Sequence, residues 1–147
     1  MVAKEPFDTL IKSLARREHS RAELDRKLKT LHTDLSVLER TTLLDRLLEL
    51  NYQSDERFAE MLIRSRLARG QGSLRIQQEL STHSIDGAEF KHCFDNADET
   101  ESDRCRRVLT KWIRVKKNPT REKALLFLKS RGFNFPDATE AVKAIFR

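Results

Sequence analysis

The chain has 147 residues, a length typical of one domain, with a formal net charge of +6. Charged residues make up 35% of the chain, against a usual share of about 25%, and hydrophobic residues only 38%. Nearly every apolar side chain is therefore needed for packing, which argues against a hydrophobic ligand pocket. Only four glycines and three prolines occur among abundant Leu, Ala, Glu, Lys and Arg, so the composition predicts an all-α protein.

No apolar stretch approaches the roughly 20 residues that span a bilayer. The residues before Pro6 also lack the apolar segment of a signal peptide. We therefore expect a cytoplasmic protein that makes no membrane contact.

Basic residues are concentrated in the last third of the chain. Residues 1–54 carry ten basic and nine acidic groups, residues 55–98 carry six and eight, and residues 99–147 carry thirteen and six. This asymmetry indicates an anionic partner for the C-terminal part, either a nucleic acid or an acidic protein surface.

Three amphipathic helices are predicted in the first fifty residues. The first runs to about Arg17, and the third lies near residues 36–50. The second begins at Ser20, which together with Glu23 forms the pattern of a capping box. The expected buried positions of these helices are Phe7, Leu10, Ile11, Leu14, Leu24, Leu28, Leu31, Val37, Leu44, Leu47 and Leu48.

The same pattern restarts twice further along. Ser54 or Asp55 can cap a helix that ends at the breaker 70–72, and residues 118–120 turn into another helix near the C-terminus. Apolar positions at helical spacing recur in both rounds, and they include Phe58, Ala59, Leu62, Ile63, Leu67, Ile76, Leu80, Phe90, Cys93, Phe94, Ala97, Val108, Leu109, Trp112, Val115, Ala124, Leu125 and Leu128.

The three rounds align as an internal repeat, with Ser20, Gly72 and Thr120 at equivalent positions before the second helix of each. We therefore expect three tandem three-helix repeats, at residues 1–53, 54–98 and 99–147, the last of them basic. A short helical repeat cannot bury its apolar face alone, so neighbours must stack. The expected fold is an elongated, curved array with a long concave surface.

Groups that support catalysis or metal binding are not recognised in the sequence. The four histidines (residues 19, 32, 83 and 92) are scattered, and the adjacent His92 and Cys93 are expected to face different directions on a helix. Residues 69–73 lack the spacing and the lysine of a phosphate-binding loop. The sequence predicts no enzyme, no metal and no cofactor, and it predicts that Cys93 and Cys105 are buried free thiols.

Two basic runs are the strongest functional signal. One has no acidic residue between Arg64 and Gln78, and the other, at 104–123, contains Glu122 as its single acid. Like charges three and four residues apart on a helix repel each other by about 0.2–0.5 kcal/mol a pair. We therefore favour an anionic partner over a merely solvated face, and expect Trp112 in the core. The candidate binding residues are Arg64, Arg66, Arg69, Arg75, Arg104, Arg107, Lys111, Arg114, Lys116, Lys117, Arg121 and Lys123.

Within the second run, a subset repeats at spacings of three and four residues and is expected to line one face of a helix. This predicted stripe consists of Arg104, Arg107, Lys111 and Arg114.

Four segments taken together identify a family. They are 14–20 (LARREHS) with Glu23-Leu24, 55–59 (DERFA), 69–72 (RGQG) with Arg75-Ile76 and Glu79-Leu80, and 127–133 (FLKSRGF) after Lys123. In this order and spacing, they closely resemble the RecX family of bacterial proteins that regulate the recombinase RecA. The resemblance covers residues 7–146.

The resemblance implies a fold of tandem three-helix repeats and a function. RecX-like proteins bind RecA filaments on single-stranded DNA, lie in the filament groove, and restrain filament growth, ATPase, strand exchange and coprotease activity. The implied partners are the RecA filament and DNA, single- or double-stranded, and the protein is expected to act as a monomer. The family's motifs carry over as fold determinants: Ser20 and Glu23 as capping box, Asp55 as N-cap and Phe58 as core anchor. The alternative reading is a helical repeat protein that binds nucleic acid directly.

Overall fold

Helices run through the whole described part of the chain. The computed structural model describes residues 4–146, and over that range it contains nine α-helices, one 3-10 helix and no strand. The prediction of an all-α protein is confirmed. None of these helices combines the length and apolar character that a membrane span requires. The helices are α1 (Lys4–Arg16), α2 (Arg21–Leu31), α3 (Val37–Glu49), α4 (Asp55–Ala68), α5 (Ser73–Thr82), the 3-10 helix Gly87–Phe90, α6 (Lys91–Asp95), α7 (Glu101–Val115), α8 (Arg121–Ser130) and α9 (Phe135–Ile145).

The chain forms two compact units. The first unit comprises the residues up to Met61 together with His83–Ile85, and the second comprises Leu62–Thr82 together with the residues from Asp86 onward. The repeat boundaries expected from the sequence stay a prediction.

The first unit packs around leucines from its three helices. Leu10 of α1, Leu24 and Leu28 of α2, and Leu43 and Leu47 of α3 are buried in one cluster. Burial of large aliphatic side chains contributes roughly 1.5–3 kcal/mol each, so this cluster is the main source of the unit's stability.

Three positions expected in this core are exposed instead. Leu31 ends α2 and is 58% exposed, because the chain turns away at the next residue. Val37 stands in the first turn of α3, and Leu48 lies about 100° around that helix from the buried Leu47. The spacing therefore predicted the buried face of α3 with an error at its edge. The buried residues of this helix are Leu43, Leu44 and Leu47.

The N-terminus of α2 carries the predicted capping box. The Glu23 backbone N–H donates to Ser20 Oγ at 3.1 Å, and the Ser20 N–H donates to Glu23 Oε1 at 2.9 Å. A further acceptor was not expected: the backbone N–H of Arg21 donates to Asp55 Oδ1 at 2.8 Å.

The prediction of Asp55 as the N-cap of α4 is wrong. Ser54, the other candidate from the sequence, is confirmed as the cap, since its Oγ accepts the N–H of Arg57 at 3.2 Å. The carboxylate of Asp55 instead accepts from Arg21 and from Gln53 Nε2, 3.0 Å away. Asp55 therefore links the start of α4 to the start of α2, a long-range role that a local pattern does not show. Phe58, by contrast, is 2% exposed and confirms the expected core anchor.

The second unit packs around α7, α8 and α9. Its core contains Leu109 of α7, Ala124 and Leu128 of α8, Phe133, and Ala141 of α9. Asn134 caps α9 by accepting the N–H of Asp137, and a proline follows in the first turn, as expected of a helix start.

Several apolar positions of this unit are less buried than expected. Val115 is 81% exposed because it is the last residue of α7. Trp112 is half-buried and packs against the core from one side. Of the two free thiols, Cys105 is buried as expected, but Cys93 is half-buried.

Candidate anion-binding surface

The start of α5 has no side-chain cap of its own, because Gly72 stands where Ser20 and Thr120 cap their helices. Its first amide groups are satisfied by the chain beyond α8. Gly72 N–H donates to the carbonyl of Arg131 at 2.7 Å, and Leu74 N–H donates to that of Gly132 at 3.0 Å. A Cβ at Gly72 would lie 2.3 Å from the Gly132 carbonyl carbon, so the two backbones touch.

A buried ion pair completes this helix start. Ser73 N–H donates to Glu101 Oε1 at 2.8 Å, and Arg104 donates from both terminal nitrogens to Glu101 Oε2 at 3.1 and 3.0 Å. Arg104 is only 1% exposed, so its guanidinium is held inside the unit.

Arg104 therefore departs from the stripe expected on α7. Helical spacing places it above Arg107, but the side chain turns inward to Glu101, which is itself anchored by α5. A charge enclosed in this way belongs to the internal packing of the unit rather than to its surface, and loss of Glu101 would leave it buried without a counterion.

Two other predicted binding residues are compensated by acidic partners. Arg66 forms a bidentate pair with Glu79, with both N···O distances 2.9 Å, and this pairing raises the pKa of Arg66. Arg107 pairs with Glu99 at 2.7 Å, which likewise raises its pKa. These guanidinium groups are fully charged, but each is already paired with a carboxylate of the same unit.

The close approach of the two glycine-containing turns also gathers arginines. Arg131 Nη2 donates to the carbonyl of Arg69 at 2.9 Å, and Arg75 Nη1 lies 3.5 Å from the carbonyl of Ser130. We call Arg69, Arg75 and Arg131 the junction arginines. The structure thus joins the first basic run to a cation from the end of α8, far away in sequence.

Beside the junction, two stacked rings have a cation at each end. The rings of Trp112 and Phe127 are parallel within 12° with centroids 5.0 Å apart. Lys116 Nζ lies 5.9 Å from the Trp112 centroid, and the guanidinium carbon of Arg131 lies 6.0 Å from that of Phe127. We call these four residues the aromatic ladder. Trp112 contacts the core, as expected, but it also belongs to this half-buried stack.

The remaining predicted binding residues are exposed at the surface. Arg121 donates to the carbonyl of Phe146, and Lys123 Nζ lies 3.5 Å from the carbonyl of Asn118. Of the twelve predicted binding residues, six have a side chain with no hydrogen-bond or ion-pair partner within residues 4–146; they are Arg64, Arg69, Lys111, Arg114, Lys116 and Lys117. These cations are available to an anion from outside.

The thiols are placed in contrasting surroundings. Burial raises the pKa of Cys105 to about 12, so its thiol stays protonated and unreactive at neutral pH. His92 Nε2 and Cys93 Sγ lie 3.4 Å apart, so the expectation that these neighbours face different directions is wrong.

Sequence reasoning missed Phe127 and Arg131 as surface residues. The available signal was their spacing, since Lys123, Phe127 and Arg131 are four residues apart and share a face of α8. Only the packing of α8 on α7 shows that this face lies beside Trp112.

Comparisons with known proteins agree with this architecture. The family model described as RecX, second three-helix domain, matches residues 54–89. The chain is 34% identical to "Regulatory protein RecX" of Chromohalobacter salexigens over 93% of the chain and 90% of that protein. It is 35% identical to the protein of the same name from Herminiimonas arsenicoxydans, over 91% of the chain and 88% of that protein.

Solved structures share the fold. A crystal structure of RecX from Lactobacillus salivarius superposes with a TM-score of 0.76 at 18% identity, covering 97% of the chain and 95% of that structure. A second, described as regulatory protein RecX, gives 0.77 at 18% identity over 95% of the chain and 70% of that structure. With the sequence relationship extending over nearly the whole length of its relatives, the chain belongs to the RecX family of regulatory proteins.

Proposed function

We propose that the protein binds RecA filaments assembled on single-stranded DNA and restrains their ATPase, strand-exchange and coprotease activities. The observation that carries this proposal is family membership over 93% of the chain. It acts by occupancy rather than by catalysis, as a cytoplasmic monomer without a cofactor.

The distribution of unpaired cations supports a binding role. Arg64, Lys111, Arg114 and Lys117 are exposed and have no anionic partner among the described residues. Because neighbouring cations repel one another, an anionic partner would stabilise this arrangement. A filament of protein on DNA offers both phosphates and acidic side chains.

The direct test is ATP hydrolysis by RecA on single-stranded DNA, followed as the protein is added in rising amounts. We expect hydrolysis to fall and to reach a plateau near stoichiometric amounts. Full hydrolysis at stoichiometric amounts would rule the proposal out.

A pair of matched variants locates the contact. Lys111→Ala with Lys117→Ala removes two unpaired cations, while Lys12→Ala with Lys143→Ala removes two exposed lysines elsewhere. We expect the first variant to need a several-fold higher concentration for half-inhibition and the second to behave as the parent. Equal inhibition by both would assign these lysines to solvation alone.

A further inference from the structure

We propose that the junction arginines and the aromatic ladder form one binding surface for single-stranded nucleic acid. The inference deepens the proposed function and rests on it for context, since it assigns the DNA strand, rather than the recombinase, to this surface. All residues of this surface belong to the second unit.

The charge of the surface matches a phosphate backbone. Arg69, Arg75 and Arg131 converge where the two turns meet, and Lys116 stands at the far end of the ladder. The side chains of Arg75 and Arg131 contact backbone carbonyls, and Arg131 and Lys116 lie over aromatic rings. None of the four cations is paired with a carboxylate of residues 4–146. In this respect they differ from Arg66 and Arg107, whose charges are already compensated.

The fold positions the guanidinium of Arg131 and the backbone of Arg75. Arg131 is held by the Arg69 carbonyl on one side and by the Phe127 ring on the other. The backbone of Arg75 lies against Gly132, where an added Cβ would come within 2.6 Å of the Arg75 nitrogen. Cations held in place beforehand lose less conformational entropy on binding than free surface side chains.

The aromatic pair is what selects a single strand. Trp112 and Phe127 are both half-buried, their inner faces cover each other, and Arg131 lies over the outer face of Phe127. The outer face of Trp112 is covered only by the exposed Lys116, so a base can stack there when this lysine turns to a phosphate. Unpaired bases stack on aromatic side chains whatever their sequence, and phosphates are held by the flanking cations. A duplex keeps its bases stacked internally and offers only phosphates to this surface. An acidic protein surface offers carboxylates, which would use the cations but not the aromatic rings.

The chain contains one tryptophan, and it lies in the ladder, so binding can be read from its fluorescence. The probes are a thymidine oligonucleotide and a duplex of equal length, added to the full chain. We expect the single strand to quench the emission and to bind more tightly than the duplex. The affinity for the single strand should fall with rising salt, with a logarithmic slope of about −0.7 for each phosphate contact.

Two variants test the two components separately. Phe127→Leu keeps an apolar side chain against the core but removes the ring, and we expect about tenfold weaker binding of the single strand. Lys116→Gln removes one exposed cation, and we expect the salt slope to become less steep by about 0.7. Phe135→Leu and Lys143→Gln make the same changes at exposed positions of α9 and should bind as the parent does. Thermal unfolding of each variant separates lost binding from lost folding, and Lys116→Gln changes no core residue.

The results distinguish this inference from the proposed function. If the parent inhibits RecA but binds no free single strand at low salt, the inference fails and the proposed function stands. Equal binding of single strand and duplex, with Phe127→Leu behaving as the parent, would also overturn it. If the parent binds the single strand through the ladder but leaves RecA hydrolysis unchanged, the proposed function fails and the assignment of this surface stands.

Discussion

At Gly72, the absence of a side chain allows two turns distant in sequence to come into backbone contact. Hydrogen bonds to Arg131 and Gly132 take the place of the side-chain cap that α2 and α8 possess. The glycine is required by close approach here, since a Cβ would lie 2.3 Å from both the carbon and the oxygen of the Gly132 carbonyl.

Gly72→Ala should therefore destabilise the protein by about 1–3 kcal/mol, the usual cost of forcing extra atoms into a packed site. The added methyl meets backbone atoms, which cannot move without breaking the two hydrogen bonds. Gly87→Ala is the control, because its methyl would meet the flexible side chain of Gln77 at 2.8 Å. Urea unfolding measures the loss of stability in both variants. Equal losses for the two variants would contradict this account of Gly72.

Arg104 shows where residue patterns stop being informative. Its spacing from Arg107 is that of a surface stripe, and only the position of Glu101, anchored by Ser73 of α5, explains why it is buried. The pattern identified a basic helix correctly. It did not distinguish a charge that faces solvent from one that closes a contact between helices.

At the scale of the helix, α2 shows how local and distant groups share one terminus. The capping box could be predicted from the sequence because Ser20 and Glu23 are three residues apart. The contributions of Asp55 and of His83, whose Nδ1 lies 2.6 Å from Ser20 Oγ, depend on packing within the first unit. The local sequence pattern of α2 therefore does not predict either contact.

We expect Ser20→Ala to cost more stability than Ser36→Ala, which removes the matching capping box of α3. Loss of an N-cap costs about 1 kcal/mol. Ser20 is fully buried and also bonds His83, so its removal leaves a second polar group without this partner, whereas Ser36 is exposed. Chemical denaturation measures the free energy of unfolding of the two variants. An equal loss of this free energy would show that the contact with His83 contributes nothing to stability.

At the scale of the whole molecule, three groups make stability depend on pH in the same direction. Burial lowers the pKa of His19. Burial alone would raise the pKa values of Glu23 and Asp25. The hydrogen bonds that each carboxylate accepts, from Arg17 and the Ser20 backbone to Glu23 and from Arg40 and Lys29 to Asp25, together with the charges of the neighbouring cations outweigh burial and lower both pKa values. In each case the unfolded chain binds protons more readily than the folded chain.

Stability should therefore fall as the solution is acidified. The loss from His19 begins as pH drops below its ordinary pKa of 6.5. The carboxylate contributions are present above the ordinary values of 4.5 for Glu23 and 3.8 for Asp25, and they are lost as pH falls through the lower folded values. Urea unfolding at a series of pH values from neutral to acidic measures this. Stability that stays constant or rises on acidification would contradict it, and Glu23→Gln should flatten the lower part of the profile.

How much was predictable follows from the range of the interactions involved. Helix content, the capping box and the family could be inferred because they depend on composition and on residues close in sequence. The exposure of Val115 was missed because it depends on where α7 ends, and the contact of Asp55 with Arg21 was missed because it depends on which helix lies opposite. The ladder was missed for the same reason, since Trp112 and Phe127 belong to different helices.

The hydrogen bonds at the start of α5 can form only late in the synthesis of the chain. Its amide partners, Glu101, Arg131 and Gly132, all emerge from the ribosome after α5 itself. Until the last helices arrive, the first turn of α5 has only water to satisfy its amide groups. A fragment ending at residue 98 would therefore lack the residues that accept the first amide groups of α5.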